Sequence, residues 1–175
     1  MENLPEFLRN STILLDTNFL ISAYAHKEVY ADFLTRLKNV GAVFVAPNFV
    51  KYEFIRSKTF DVVRRKEEYF YSIIENVLPY GEDIDKLIVP TIEEYKDKME
   101  GLKLVDLIIA TYLKKYKGLY LLTNDHSDFP VTVFIRKYIF NVSDFGERLY
   151  AIYSYKPEVK QFEEKISVLD DDIPF

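Results

Sequence analysis

Short runs of apolar residues recur along this chain, and segments with a helical spacing of apolar residues separate them. The runs have the length of buried strands and are too short for helices: residues 13–15, 43–45, 87–89 and 119–122. They do not alternate with charged residues, which is typical of strands that a parallel sheet buries on both faces. The sequence therefore predicts an α/β fold, with three α/β/α layers around a mostly parallel central sheet.

The segments between these runs predict the helices of the outer layers. Apolar residues recur every three or four positions in residues 19–25, 28–39, 48–57, 61–78, 104–117 and a stretch after residue 91. Asn18, Asn48 and Thr91 are predicted N-caps, and Gly41 and Gly118 are predicted helix ends.

The C-terminal part continues the alternation. Beyond Pro130 the pattern predicts strands at 131–135 and 149–155 and a last short helix at 158–166. A chain of 175 residues has the usual length of one domain. We therefore expect a single domain over residues 1–175, with a C-terminal extension from about residue 131 and a frayed tail at 167–175.

Composition excludes several classes of protein. Hydrophobic residues make up 49% of the chain, enough for a substantial core, and the absence of cysteine excludes disulfides, thiolate metal sites and a cysteine nucleophile. The first ten residues lack a basic leader, and no apolar run reaches the length of a membrane span. The sequence predicts a soluble, cytoplasmic protein without a membrane partner.

The charge pattern leaves two interpretations open. A net charge of −5 does not indicate nucleic-acid binding. One dense basic stretch, residues 56–66, nevertheless contains Arg56, Arg64 and Arg65. It is either a solvated helix face or a surface that faces the phosphates of a nucleic acid.

Four acidic residues stand where a plain structural role is hard to assign. Asp16 ends one predicted strand and Asp125 follows another, at the edge where open α/β sheets bind their ligands. Asp106 lies in the first turn of an apolar helix, and Glu53 lies on a helix that otherwise packs. Because an unpaired buried charge is costly, each of these acids either caps a helix, stays at the surface or serves a site.

The available ligand atoms point to a hard cation. The chain has no cysteine, and its two histidines, His26 and His126, do not form a ligand pair. Oxygen-only ligand sets suit Mg²⁺ or Mn²⁺ and not zinc. Such a site is typical of metal-dependent phosphodiester hydrolysis.

The acids occur in motifs that resemble a known family. LLDTN, a helical glutamate, VDLIIA and LLTNDHSDF follow one another over residues 12–129. In this order they resemble PIN-domain ribonucleases, especially the VapC-like toxins of bacterial and archaeal toxin–antitoxin pairs. The resemblance implies hydrolysis of single-stranded RNA with Mg²⁺ or Mn²⁺, an antitoxin protein as partner, and a homodimer.

The resemblance also implies roles for individual residues. The catalytic acids would be Asp16, Glu53, Asp106 and Asp125, and the metal ligands Asp16, Asp106, Asp125 and Asp128. Asn18, Thr123 and Asn124 would contact the substrate, together with Arg56, Arg64 and Arg65 from the basic stretch. The sequence does not name the RNA target or the number of metal ions.

Three alternatives remain beside a ribonuclease. A PIN fold could bind RNA or a protein without cleavage, although the intact set of acids argues against it. A phosphotransfer receiver domain would need two adjacent acids after the first strand and a lysine that ends a late strand, and the sequence supplies neither. Flap-type 5′ nucleases need more acids and a helical arch, for which residues 57–101 are too few.

Overall fold

The computed structural model describes residues 4–95, 101–143 and 147–156, and its elements alternate as the sequence predicts. A short 3₁₀ helix (Glu6–Leu8) comes first. The other elements are β1 (Thr12–Leu15), α1 (Thr17–Ala25), α2 (Lys27–Asn39), β2 (Val43–Pro47), α3 (Asn48–Ile55), α4 (Phe60–Ile73), β3 (Asn76–Leu78), α5 (Glu82–Tyr95), α6 (Leu104–Lys115), β4 (Leu119–Thr123), β5 (Phe134–Ser143) and β6 (Glu147–Tyr155).

The strands of the described residues form one six-stranded sheet in the order β3-β2-β1-β4-β6-β5. The first four strands in this order are parallel, and β6 and β5 complete the sheet in antiparallel pairing. The chain moves outward from β1 to β2 to β3 and then crosses back to β4. Helices α1–α4 pack against one another, and α5 packs against α6. The right-handed rule for crossovers puts these two groups on opposite faces of the sheet. The predicted three-layer α/β fold with a mostly parallel sheet is confirmed.

The strand order reverses between β1 and β4, which makes this the place where a ligand site is expected. In open α/β sheets, ligands bind at the carboxyl ends of the strands on either side of such a reversal. The side chains of β1 explain its central place: Ile13, Leu14 and Leu15 are fully buried because helices cover both faces. Within the described residues, no helix is long and apolar enough to span a membrane.

The third parallel strand does not lie where the sequence predicts it. Residues 87–89 are part of α5, and the strand is residues 76–78, which the sequence assigns to the end of a long helix. The helical spacing continues through Val77 and Leu78, but the backbone turns extended at Ile74. Pro90 lies inside α5, although a proline usually ends a helix. Because of this proline, the strand was wrongly predicted at residues 87–89.

The predicted caps also need correction. Asp16 and not Asn18 is the N-cap of α1, and Pro47 precedes α3, whose first residue is Asn48. Thr91 lies inside α5, where its hydroxyl donates to the carbonyl of Leu87 at 2.7 Å. Gly41 follows α2 with a φ of 84°, as a helix-ending glycine should.

The last two strands extend the sheet beyond β4. The predicted strand at 149–155 is present as β6, whereas residues 131–133 form a turn and β5 begins at Phe134. The helix predicted at 158–166 and the tail at 167–175 lie outside the described residues.

Candidate active site

Asp16 lies at the carboxyl end of β1, and both of its carboxylate oxygens are held. The backbone N–H of Thr17 donates to Oδ1 at 2.6 Å, and the Thr123 hydroxyl donates to Oδ2 at 2.6 Å. Only 2% of the residue is exposed. Burial raises the pKa of Asp16 to about 6, against the two hydrogen bonds and with smaller contributions from the charges of Asp125 and Glu53.

Asp106 is buried in the first turn of α6. Its Oδ2 has no hydrogen-bond partner among the described residues. Burial, followed by the charges of Asp16 and Asp128, raises the pKa of Asp106 to about 8, although Lys103 opposes the shift. A buried oxygen without a partner costs on the order of 1–3 kcal/mol, so the fold maintains this carboxyl group at the expense of stability.

The loop after β4 adds two more acids. The Asp125 backbone N–H donates to the Thr123 hydroxyl at 2.9 Å, so Thr123 joins this loop to Asp16. Ser127 donates to Asp125 Oδ1 at 2.8 Å. The Tyr95 hydroxyl at the end of α5 donates to the Asp128 carbonyl at 3.0 Å and holds the loop from the other face.

Asp106 and Asp128 form a carboxyl pair. Burial and then the charge of Asp125 raise the pKa of Asp128 above its ordinary value. A hydrogen bond between the two side chains raises the pKa of Asp106 and lowers that of Asp128. A hydrogen bond between two carboxyl groups needs a proton on one of them, so the pair retains a proton more readily than two separate carboxylates.

Glu53 approaches the site through Thr17. The Thr17 hydroxyl donates to Glu53 Oε2 at 2.6 Å, while the same residue's backbone N–H donates to Asp16. Thr17 is buried, which gives this bridge a fixed geometry. The predicted acids thus come from four parts of the chain: β1, α3, α6 and the loop after β4. They are linked by hydrogen bonds or by the effect of their charges on the pKa of Asp16 and of Asp106.

A polar cavity of about 340 Å³ opens beside Asp125. The predicted substrate-contacting residues Asn18 and Asn124 both line it. The cavity also contains Arg148 of β6, whose Nη1 donates to the Ser22 hydroxyl at 2.8 Å. Asn18 and Asn124 therefore line the same cavity as Asp125.

The predicted arginines do not join this cluster. Arg56 follows α3, and Arg64 and Arg65 are exposed on α4. The Arg64 guanidinium lies 4.7 Å from the centre of the Phe60 ring, and Arg65 Nε donates to the Asp61 carbonyl at 3.4 Å. In the part of the chain that the structure describes, no hydrogen bond or ion pair is seen between these arginines and the acids.

Sequence reasoning missed residues that contact the acids or line the cavity beside them. Thr17 follows Asp16 within the LLDTN motif, and a hydroxyl next to a strand-end acid was a visible signal. Tyr95 and Arg148 gave no local signal, because α5 and β6 bring them to the site through tertiary packing.

The carboxylate oxygens of the site are ligands that suit a hard divalent cation, but the acids are not arranged to surround one. Across residues 4–95, 101–143 and 147–156, no three acidic or histidine side chains are placed to hold one ion together. The negative charges that act on Asp106 come from Asp16 and from Asp128. Mg²⁺ usually retains several waters and binds through one or two carboxylates, and the unpartnered Oδ2 of Asp106 is a suitable ligand atom.

Comparison with known proteins places this geometry in a family. The model of the PIN domain matches residues 13–135, most of the chain and all of the acids above. No curated protein and no solved structure matches the chain. PIN domains are typically nucleases and generally use divalent metals, so the match indicates a nuclease-type, hydrolytic function on nucleic acid. The chain belongs to the PIN-domain family.

Proposed function

We propose that this protein is an endoribonuclease that cleaves single-stranded RNA and requires Mg²⁺ or Mn²⁺. The observation that carries the proposal is the buried pair of Asp16 and Asp106 at the reversal of strand order. Their pKa values are raised to about 6 and about 8, and one oxygen of Asp106 has no partner in the described part of the chain. Perturbed acids gathered in this way are typical of functional sites.

We assign different roles to the acids from the surroundings of each one. Asp16 and Asp106 would hold the cation, with Asp125 and Asp128 completing its surroundings through oxygen atoms or water. The cation, when bound, supplies an activated water and offsets negative charge on the phosphate. Thr17 and Thr123 fix the orientation of Asp16, and Thr17 also holds Glu53 within reach of the same region.

Binding of a cation by these acids would be coupled to the release of a proton. At neutral pH and without a cation, the pair of Asp106 and Asp128 retains a proton, because the pKa of Asp106 is raised to about 8. A metal ligand has to be deprotonated, so Asp106 would give up this proton if it held a cation. Asn18 and Asn124 would contact the substrate from the adjoining cavity.

The cellular role rests on the resemblance of the motifs to VapC-like toxins. On that basis we propose that the protein is the toxin of a toxin–antitoxin pair, bound by an antitoxin protein and assembled as a homodimer. A short open reading frame immediately upstream that encodes a DNA-binding N-terminus would support this role. A gene without such a neighbour would favour a PIN nuclease of RNA processing or decay.

The proposed activity is tested with one set of purified proteins. Single-stranded RNA should be cut with Mg²⁺ or Mn²⁺ and not in excess EDTA, and single-stranded DNA and duplex RNA should be poor substrates. Asp16→Asn should lower the rate by at least about a hundredfold, the scale for losing one group that stabilises transition-state charge. Asp32→Asn, an exposed change on α2, is the matched control and should cut like wild type. Undiminished cleavage in EDTA would exclude the metal mechanism, and binding without cleavage would favour a binding module.

A further inference from the structure

The cavity beside Asp125 combines three elements of the fold. On α1, Ile21 and Ser22 follow Asn18 by three and four residues, so both lie on the same side of the helix as Asn18. The loop after β4 contributes Asn124 and Asp125, and β6 contributes Arg148. Because Asp125 belongs to both the cavity and the acid cluster, anything that occupies the cavity lies directly next to the acids.

The side chains of this cavity match the parts of a nucleotide. Asn18 and Asn124 offer amide donors and acceptors of the kind that bind base edges in single-stranded RNA. Ile21, 45% exposed, offers apolar surface to a sugar or a base. The Arg148 guanidinium is a planar fork that suits a phosphate, and its bond to Ser22 fixes one of its nitrogens. A volume of about 340 Å³ lies in the range of small-ligand pockets.

Arg148 also lies outside the part of the chain that the family match covers, which ends at residue 135. The antiparallel pairing of β6 with β4 brings it to the carboxyl edge of the parallel strands, since Thr123 pairs with Ala151. The strands β5 and β6 thus bring a cationic side chain into a cavity that also contains Asp125, one of the clustered acids. A phosphodiester that approaches those acids needs such a cation beside it.

We propose that this cavity seats the nucleotide next to the cleaved bond and that Arg148 binds its phosphate. Arg148 is then a substrate-binding residue contributed by the C-terminal hairpin. This inference rests on the proposed ribonuclease function.

Binding is measured in the Asp106→Asn background, in which cleavage is expected to be lost, with a labelled single-stranded RNA of mixed sequence. Arg148→Gln should raise the dissociation constant about tenfold, which corresponds to about 1.4 kcal/mol. It should also reduce the slope of log affinity against log salt by about 0.7, the value for one lost phosphate contact on a single strand. Arg148→Lys keeps the charge but loses the planar guanidinium that can bind a phosphate through two nitrogens. The affinity of this variant for RNA should lie between those of wild type and Arg148→Gln. Arg9→Gln removes the same charge before β1, at the opposite edge of the sheet from Asp16, and should have little effect.

A second pair of variants covers the case in which Arg148→Gln fails to fold. Ile21→Glu places a carboxylate in the cavity from an exposed position on a helix and should weaken RNA binding at least as much. Val89→Glu makes the same change at a position on α5 that is 62% exposed, on the other face of the sheet, and serves as its control.

The outcomes separate this inference from the proposed function. If wild type cuts RNA and Arg148→Gln and Ile21→Glu bind like their controls, the cavity is not a nucleotide site, and the ribonuclease proposal stands. If wild type neither cuts nor binds single-stranded RNA, the ribonuclease proposal fails, and the cavity assignment fails with it.

Discussion

At the scale of single residues, Asp106 has the surroundings least suited to a charged carboxylate. It is buried, one oxygen has no partner in the described part of the chain, and its pKa is raised to about 8. Ionising it in the folded protein opposes folding, since one unit of pKa shift corresponds to about 1.36 kcal/mol. The metal-free protein therefore tolerates this acid and is not stabilised by it.

Asp106→Asn should make the metal-free protein more stable at pH 8. Asparagine removes the ionisation cost and keeps nearly the same shape, so we expect a gain of at least about 1 kcal/mol in the free energy of unfolding. Thermal or urea unfolding in EDTA measures it, with the exposed Asp32→Asn as control. An aspartate that only supported the helix start would behave oppositely, and its loss would cost up to about 1 kcal/mol.

The residues of the site differ in how far the sequence could indicate them. Asp16 and Asp125 were predictable because each follows an apolar run that ends at the same edge of a parallel sheet. Asp106 stood out as a charge within an apolar helix. Arg148 was not predictable, because nothing around it resembles a site and only the register of β6 against β4 brings it to the acids.

At the scale of elements, the sequence predicted β1, β2 and β4 but misplaced β3. The three correct strands are buried and stop at a polar residue or at Pro47. In contrast, β3 has only three residues, begins with exposed Asn76, and follows the helical spacing of α4. Its pairing with β2 decides its structure, and a tertiary contact of this kind leaves no local pattern.

Helix α4 contains Arg64, Arg65 and Lys66 of the basic stretch, residues 56–66. Lys66 turns inward and donates to the Phe54 carbonyl at 2.8 Å, so this lysine stabilises the end of α3. Arg64 and Arg65 remain exposed, and Arg64 lies over the exposed ring of Phe60. An arginine beside an exposed aromatic ring is typical of surfaces that bind single-stranded nucleic acid.

The double variant Arg64→Ala, Arg65→Ala should weaken RNA binding about equally across sequences. If each arginine contacts one phosphate, the slope of log affinity against log salt should fall by about 1.4, twice the value for one contact. A double variant of Arg9→Ala and Lys117→Ala removes the same charge near the amino ends of β1 and β4, away from the acids. An unchanged slope in the α4 variant would assign this face to solvent or to a protein partner.

At the scale of the whole molecule, the fold gathers like charges where its strand order reverses. Asp16 comes from one side of the reversal and Asp125 from the other, while α6 brings Asp106 across from the opposite layer. The large buried core around β1 supplies the stability that holds these acids together. The electrostatic cost should therefore be visible in the stability of the entire domain.

The metal-free protein should lose stability as the pH rises from 6 to 8. The folded protein raises the pKa of Asp16 to about 6 and that of Asp106 to about 8, above the ordinary value of 3.8. In this range the folded state binds more protons than the unfolded state, so the free energy of unfolding falls with pH, by up to about 1.36 kcal/mol per pH unit for each group. Bound Mn²⁺ requires the deprotonated acids, so its stabilisation should grow with pH, reaching about 2.7 kcal/mol at a hundredfold excess over the dissociation constant.

Unfolding curves at pH 6, 7 and 8, in EDTA and in Mn²⁺, measure both effects. The double variant Asp16→Asn, Asp106→Asn serves as control, because it removes the two acids and leaves every other ionisable group in place. Its stability should change little between pH 6 and 8, and Mn²⁺ should stabilise it much less than wild type. If the free energy of unfolding depends on pH in the same way in wild type and in the double variant, ionisation of Asp16 and Asp106 does not destabilise the folded protein. An equal gain from Mn²⁺ in both proteins would place the cation elsewhere on the molecule.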